Sequence, residues 1–211
     1  IWSVISLPKN LDQIKIKTNK KNNYFTYGSF NNFQKISDST VRIWSKILNN
    51  SNSRLILKNS SSENPKRLNK IILDKFENQN LDIKKIVILP QTLTREEHLE
   101  CYNQVDLALD TFPYPGVTTT YESILMGVPV LVKKGNNFNS RCGESININF
   151  DMQDFIAENE EDYFKKAIDI QKKKEFLNEL KLSMRDKFLK SKVFNSKKFT
   201  INFSNLVKSL L

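Results

Sequence analysis

Three consecutive threonines, Thr118, Thr119 and Thr120, follow the run Thr111-Phe-Pro-Tyr-Pro-Gly116, and Glu122 comes two residues later. Pro113 and Pro115 fix two φ angles and Gly116 frees a third, so the run makes a rigid approach to a helix start. Threonine hydroxyls beside the unpaired N–H groups of a helix N-terminus form a cradle suited to an anion such as phosphate. The spacing Thr119-x-x-Glu122 also fits a capping box. On spacing alone the ordinary capped helix is the stronger of the two readings. His98, the one histidine, sits a turn into a helix that Thr94-x-x-Glu97 opens. It is either a packing or surface residue or a functional one. Cys101 falls in an expected helix and Cys142 in an expected loop, with no CxxC or Cys/His cluster of the kind that binds zinc. They read as free thiols of a reducing compartment.

The elements that would position these groups follow from hydrophobic periodicity. Val105–Leu109 and Val128–Val132 are short, nearly continuous apolar runs, the pattern of parallel strands covered on both faces. Between them residues 118–126 suit a short helix, which Gly127 and Pro129 would stop. Val105 to Ser145 is therefore a strand, loop, helix, strand and loop, the unit with which an α/β domain builds a pocket at the carboxyl edge of its sheet. Upstream, the expected order is a strand at Tyr24–Phe30, a loop, and a helix capped by Ser37 or Asp38 that carries Val41, Trp44, Ile47 and Leu48. A strand at Arg54–Leu57, a loop at Asn59–Pro65, a helix with Leu68, Ile72 and Phe76, and a strand at Lys85–Leu89 come next. This alternation predicts an α/β fold with a Rossmann-like, doubly wound parallel sheet. Neither G-x-G-x-x-G nor G-x-x-x-x-G-K-[ST] occurs, which argues against a dinucleotide fingerprint and a P-loop.

The 211 residues fit one domain at 24–190, preceded by a connector at 1–23 and followed by a terminal helix at 191–211. Residues 158–190 read as charged and helical. The last helix places Phe199, Phe203, Leu206 and Leu210 on one stripe, which needs a surface on this domain or on an upstream half. The chain opens on Ile1, which suggests a fragment. The formal charge of +10 comes from lysines spread among Asn, Ile and Ser, with alanine only at 108, 157 and 167. Such dispersion argues against a nucleic-acid-binding patch. No run reaches the roughly 18 apolar residues of a membrane span, and no leader is visible, so a cytoplasmic protein is expected.

Four segments in order, FTYGSFNNFQKIS, LPQTLTREEHLECYNQVDLALDTFPYPGVTTTYESILMGVPVLV, NSRCGES and SKVFNSKKFT, resemble the C-terminal catalytic half of the O-GlcNAc transferase/SPINDLY-type glycosyltransferases, bacterial type. The resemblance spans residues 24–211. It implies a GT-B architecture whose C-terminal Rossmann-like domain holds a UDP-sugar. It also implies an upstream acceptor-side domain and tetratricopeptide repeats.

Carried over residue by residue, Lys35 falls on the diphosphate-binding lysine, with Asn32 beside it. Such an ammonium would neutralise charge growing on departing UDP. Leu93 and Arg95 fall at the base, and His98 near uracil and ribose, not as the general base. Gly116 and Val117 line the approach, Thr118 and Thr119 meet the diphosphate, and Glu122, expected in the first helical turn, takes the ribose hydroxyls. Val117 stands where the animal enzymes have histidine, a departure that bears on the sugar contact rather than on UDP. Asn139, Ser140 and Arg141 match a short Ser-Arg segment near the nucleotide. The resemblance thus implies inverting transfer, independent of metal and of any cofactor beyond the donor, of a sugar, N-acetylglucosamine foremost, from a UDP-sugar to Ser or Thr of a protein acceptor. The alternatives are a UDP-glucose-dependent transferase acting on Asn or a non-protein acceptor, and an inactive nucleotide-binding or scaffold module. The fragment is expected to bind UDP without being active alone.

Overall fold

β1 (Phe25–Ser29) is buried at every position and lies between two parallel neighbours, β2 (Ser53–Lys58) and β4 (Leu107–Leu109). A computed structural model describes residues 7–18, 24–58, 64–191, 193 and 196–210. Within these, β3 (Ile86–Leu89), β5 (Val130–Lys133) and β6 (Ile156–Ala157) complete a six-stranded parallel sheet in the order β3-β2-β1-β4-β5-β6. The order reverses between β1 and β4. In a doubly wound sheet that reversal opens a crevice beyond the carboxyl ends of the two strands.

The helices are α1 (Asp38–Asn49), α2 (Pro65–Glu77), α3 (Arg95–Glu100), α4 (Thr118–Leu125), α5 (Cys142–Asn149), α6 (Glu160–Gln171), α7 (Lys174–Leu189) and α8 (Ser196–Ser209). Their starts follow local chemistry. Ser37 caps α1 by accepting from the Thr40 N–H, and Asn64 caps α2 with Pro65 at the first helical position. Thr94 and Glu97 complete a reciprocal capping box at α3. At the other end of α4, Gly127 has φ +74°, and a Cβ there would strike the Lys181 carbonyl, so only glycine closes this turn against α7. The core holds Tyr27, Trp44, Leu55, Ile56, Leu57, Phe76, Leu107 and Phe188, all essentially inaccessible.

The structure differs from the sequence reading in several elements. Val105 and Val128 precede their strands, so β4 and β5 begin later than expected. The region beyond Val132 holds α5 and β6 rather than a loop alone, and Cys142 opens α5. The segment Glu144-Ser-Ile-Asn-Ile-Asn alternates like a strand and contains poor helix formers. What fixes it is tertiary: buried Asn147 donates from Nδ2 to the carbonyls of Val130 (2.9 Å) and Phe155 (3.2 Å). The charged helical region is two helices, α6 and α7, separated at Lys172 and Lys173.

At the N-terminal side, Leu11 and Ile14 are buried in the core. Arg185 Nη1 donates to the Ile14 carbonyl at 2.6 Å, and Asn103 bridges the Lys17 N–H and the Lys15 carbonyl. The rest of the expected connector, residues 1–6 and 19–23, lies outside the described residues, as do 59–63 of the expected loop before α2 and positions 192, 194 and 195. Phe203 and Leu206 of α8, and Leu210 just past it, are exposed.

Candidate functional site

Asp110, the first residue past β4, stands at the point where the strand order reverses. Its Oδ1 accepts from three donors: Gly116 N at 2.7 Å, Thr111 N at 2.9 Å and Asn31 Nδ2 at 2.9 Å. The Pro-Gly loop is therefore folded back on the carboxylate that precedes it, and pinned to the residue after Phe30 at the end of β1. Burial pushes the Asp110 carboxyl up to about 7, against the pull of these hydrogen bonds and of the Lys35 charge. Gly116 is required here, because a Cβ would crowd Thr119 Oγ1 and Asn31 Oδ1. Further along, the loop is latched to α1: Ser37 Oγ and Thr40 Oγ1 donate to the Phe112 carbonyl at 2.6 and 2.9 Å.

Lys35 reaches the same loop from the short turn after β1. Its Nζ donates to the Pro115 carbonyl at 3.1 Å and lies 4.4 Å from the centre of the half-exposed Tyr114 ring. Desolvation lowers the Lys35 ammonium from its usual value, while the charge of Asp110 draws it back up. Asn32 accepts from the Gln34 N–H and so shapes the turn that carries Lys35.

α4 begins beside this loop without a side-chain cap: Val117 occupies the cap position and makes no cap hydrogen bond. The capping box expected of Thr119 and Glu122 does not form. Thr119 Oγ1 instead donates to Asn31 Oδ1 at 2.7 Å, and Glu122 turns toward α3. Glu122 is also in the second turn of α4, not the first, so the helix dipole is not what holds it. His98 Nε2 stands 3.3 Å from Glu122 Oε2, and Arg95 Nε stands 3.9 Å from Oε1. The His98 ring packs edge-on against Phe30 and Tyr102, whose hydroxyl donates to the Thr119 carbonyl. Leu93 is almost wholly exposed before α3.

Lys35, Gly116, Val117, Thr118, Thr119, Glu122, His98 and Arg95 are thus joined through one loop and two helix starts. Ser140 and Arg141 sit differently. Ser140 closes reciprocal bonds with Asn137, and Arg141 forms a two-pronged pair with Glu144 at 2.8 and 3.0 Å. Arg141 lines a separate depression of about 480 Å³ with Phe138 and Ile148.

Chemically, an ammonium and an uncapped helix start on one loop suit an anionic group. A nearly buried carboxylate about one turn away, flanked by an imidazole, suits a hydroxyl pair. Among the described residues no cluster of three or more His, Cys, Asp or Glu is arranged to hold a metal ion. Three participants escaped the sequence reading: Asn31, Asp110 and Tyr114. Asp110 did carry a signal, since it is an acid closing an apolar strand just before the Pro-Gly run.

Comparison with known proteins bears on the family and the fold. The sequence model of glycosyl transferase family 41 matches residues 14–203. A Solanum lycopersicum protein named probable UDP-N-acetylglucosamine–peptide N-acetylglucosaminyltransferase SPINDLY is 33% identical over 190 residues, 90% of this chain and 20% of its own length. The Arabidopsis thaliana protein of the same name is 32% identical over 190 residues, 90% of this chain and 21% of its own. The chain therefore spans about one fifth of the length of the curated relatives it matches. Among solved structures, a mutant of the Thermobaculum terrenum O-GlcNAc transferase superposes with a TM-score of 0.81 at 23% identity, over 96% of this chain and 38% of that one. A glycosyltransferase from Rickettsia africae gives 0.60 at 16% identity, over 93% and 52%. These likenesses show a shared fold, the Rossmann-like half found in glycosyltransferases.

Proposed function

This chain belongs to glycosyl transferase family 41, and we propose that it is the donor-binding part of a transferase that moves a sugar from a UDP-sugar to Ser or Thr of a protein. N-acetylglucosamine is the sugar we favour. In such a transfer the acceptor oxygen attacks the anomeric carbon from the face opposite the nucleotide, the bond to the diphosphate oxygen breaks, and UDP departs with the electron pair. Negative charge grows on the leaving diphosphate. Lys35, aided by the N–H groups and hydroxyl at Thr118 and the N–H of Thr119, would stabilise it without a divalent cation. Glu122, oriented by His98 and Arg95, would accept from the ribose hydroxyls, and Leu93 would border the base. Gly116 and Val117 bring the loop backbone close to the phosphates.

The observation that carries this reading is the start of α4. Its first N–H groups have no side-chain cap, although threonines and a glutamate are at hand, and the turn after β1 brings the Lys35 ammonium onto the loop before it. The upstream acceptor-side domain, and tetratricopeptide repeats before it, belong to the proposal because the relatives extend far beyond this chain. The exposed apolar stripe of α8 supports such a partner surface. No helix among the described residues is long and apolar enough to cross a membrane.

Calorimetric titration with UDP, UDP-N-acetylglucosamine and UDP-glucose tests the reading. Binding of UDP that survives a chelator is expected, with N-acetylglucosamine preferred. A chain that binds none of the three overturns the donor site. A clear preference for UDP-glucose overturns the sugar assignment alone.

A further inference from the structure

Asp110 is only 2% exposed, and its two oxygens live differently. Oδ1 collects three hydrogen bonds, whereas Oδ2 is buried with no hydrogen-bond donor among the described residues, with Gly143 of α5 backed against it. A carboxylate accepts only, so the amide of Asn31 must turn its Nδ2 toward Asp110. That leaves Asn31 Oδ1 facing α4, where it receives the Thr119 hydroxyl at 2.7 Å.

We propose that Asp110 is a positioning residue for the donor pocket: it clamps the Pro-Gly loop to the end of β1 and, through Asn31, fixes the direction of the Thr119 hydroxyl. The inference rests on the donor-binding reading and adds to it. Thr119 spends its only O–H on Asn31 and presents lone pairs outward. A diphosphate, itself an acceptor, is therefore held by backbone N–H groups, by Thr118 and by Lys35 rather than by the Thr119 hydroxyl. The loop that carries Tyr114 and Pro115, and with them the resting place of Lys35, takes its position from the Gly116 N–H bond to the same oxygen.

The clamp is also sensitive to charge. The titratable groups near Asp110 are Lys35 from the turn after β1, Cys142 at the start of α5, Tyr102 after α3 and Tyr163 of α6, whose hydroxyl donates to the Asp110 carbonyl. Lys35 alone of these four is a cation. Ionised Asp110 competes with a bound diphosphate for Lys35, and protonated Asp110, its hydrogen on Oδ2, keeps the three bonds to Oδ1 without that competition.

The test is calorimetric titration of UDP into the chain and into Asp110→Asn, Asp110→Ala, Asn31→Ala and the Asp110→Ala/Asn31→Ala double variant, from about pH 5.5 to about pH 8.5. Asparagine can keep the Oδ1 bonds and cannot ionise, so Asp110→Asn should bind within about threefold of wild type at the acid end. Its advantage over wild type should grow as pH rises, and the ionisation of UDP cancels in that ratio. Asp110→Ala should bind at least tenfold more weakly throughout. The double variant should lose no more than Asp110→Ala alone, because both changes cut one chain of bonds. A wild-type affinity that Asp110→Ala leaves unchanged, a ratio flat with pH, or losses that multiply in the double variant would each overturn the proposal while UDP binding stands. Absence of UDP binding in wild type would overturn the donor-binding reading itself, and the inference with it.

Discussion

His98 on α3 and Glu122 on α4 meet at 3.3 Å, 24 residues apart in the chain, and Glu122 is 7% exposed. The carboxylate is therefore held in place before any ligand arrives. Preorganisation of this kind spares a ligand the cost of ordering the group that receives it.

If Glu122 receives ribose hydroxyls, Glu122→Ala should weaken UDP binding about tenfold, the value of one charge-assisted hydrogen bond. Inorganic pyrophosphate, which has no ribose, should bind the variant and the wild type alike. Equal losses for both ligands would move Glu122 away from the ribose.

Lys35 gives the complementary pattern. If Lys35 meets the diphosphate, Lys35→Ala should weaken both UDP and pyrophosphate by about tenfold or more. Uridine should bind unchanged. A variant that loses uridine but keeps pyrophosphate would place Lys35 elsewhere.

The capping box of α3 yields a stability prediction independent of ligand. Thr94 accepts from the Glu97 N–H at 3.1 Å, while Glu97 Oε2 receives the N–H groups of Leu93 and Thr94. Thr94→Ala should cost about 1 kcal/mol in urea denaturation. Because α3 carries His98 and Arg95, UDP affinity should fall slightly as well. An unchanged denaturation midpoint would remove the cap from the account.

Lys181 of α7 predicts a pH dependence. Its buried Nζ donates to the carbonyls of Val105 (2.9 Å), Tyr102 (3.3 Å) and Asn103 (3.4 Å), and desolvation lowers it from 10.5 to about 8, opposed by Asp106. Between about pH 8 and 10.5 the unfolded chain holds this proton and the folded chain has released it. The contribution of Lys181 to stability therefore rises with pH across that window, at about 1.4 kcal/mol per pH unit at most, and is constant below it. Lys181→Met should erase the rise. Denaturation midpoints that climb in parallel for both proteins would show that the amine is not the group responsible.

Much of the fold was legible because its signals are local. Apolar runs at Lys85–Leu89 and Val105–Leu109, the caps at Ser37 or Asp38 and at Thr94, and the Gly127 stop each act through neighbours a few residues away. α5 and β6 were not, since Asn147 becomes a helical residue only when Val130 and Phe155 receive its amide. The same division runs through the site. The Thr111–Glu122 segment advertised a ligand loop, and the ordered resemblance singled out Lys35, His98 and Glu122.

The sequence by itself therefore determined an alternating α/β chain with a parallel sheet and pointed to a candidate site at its carboxyl edge. Only the tertiary structure decided between a capped helix and an open one at Thr118. The spacing of Thr119 and Glu122 permits a box, but Asn31 and His98 compete for those two side chains across 88 and 24 residues of chain. Such competition is settled by packing, which brings β1, α3 and α4 together, and no local pattern records it.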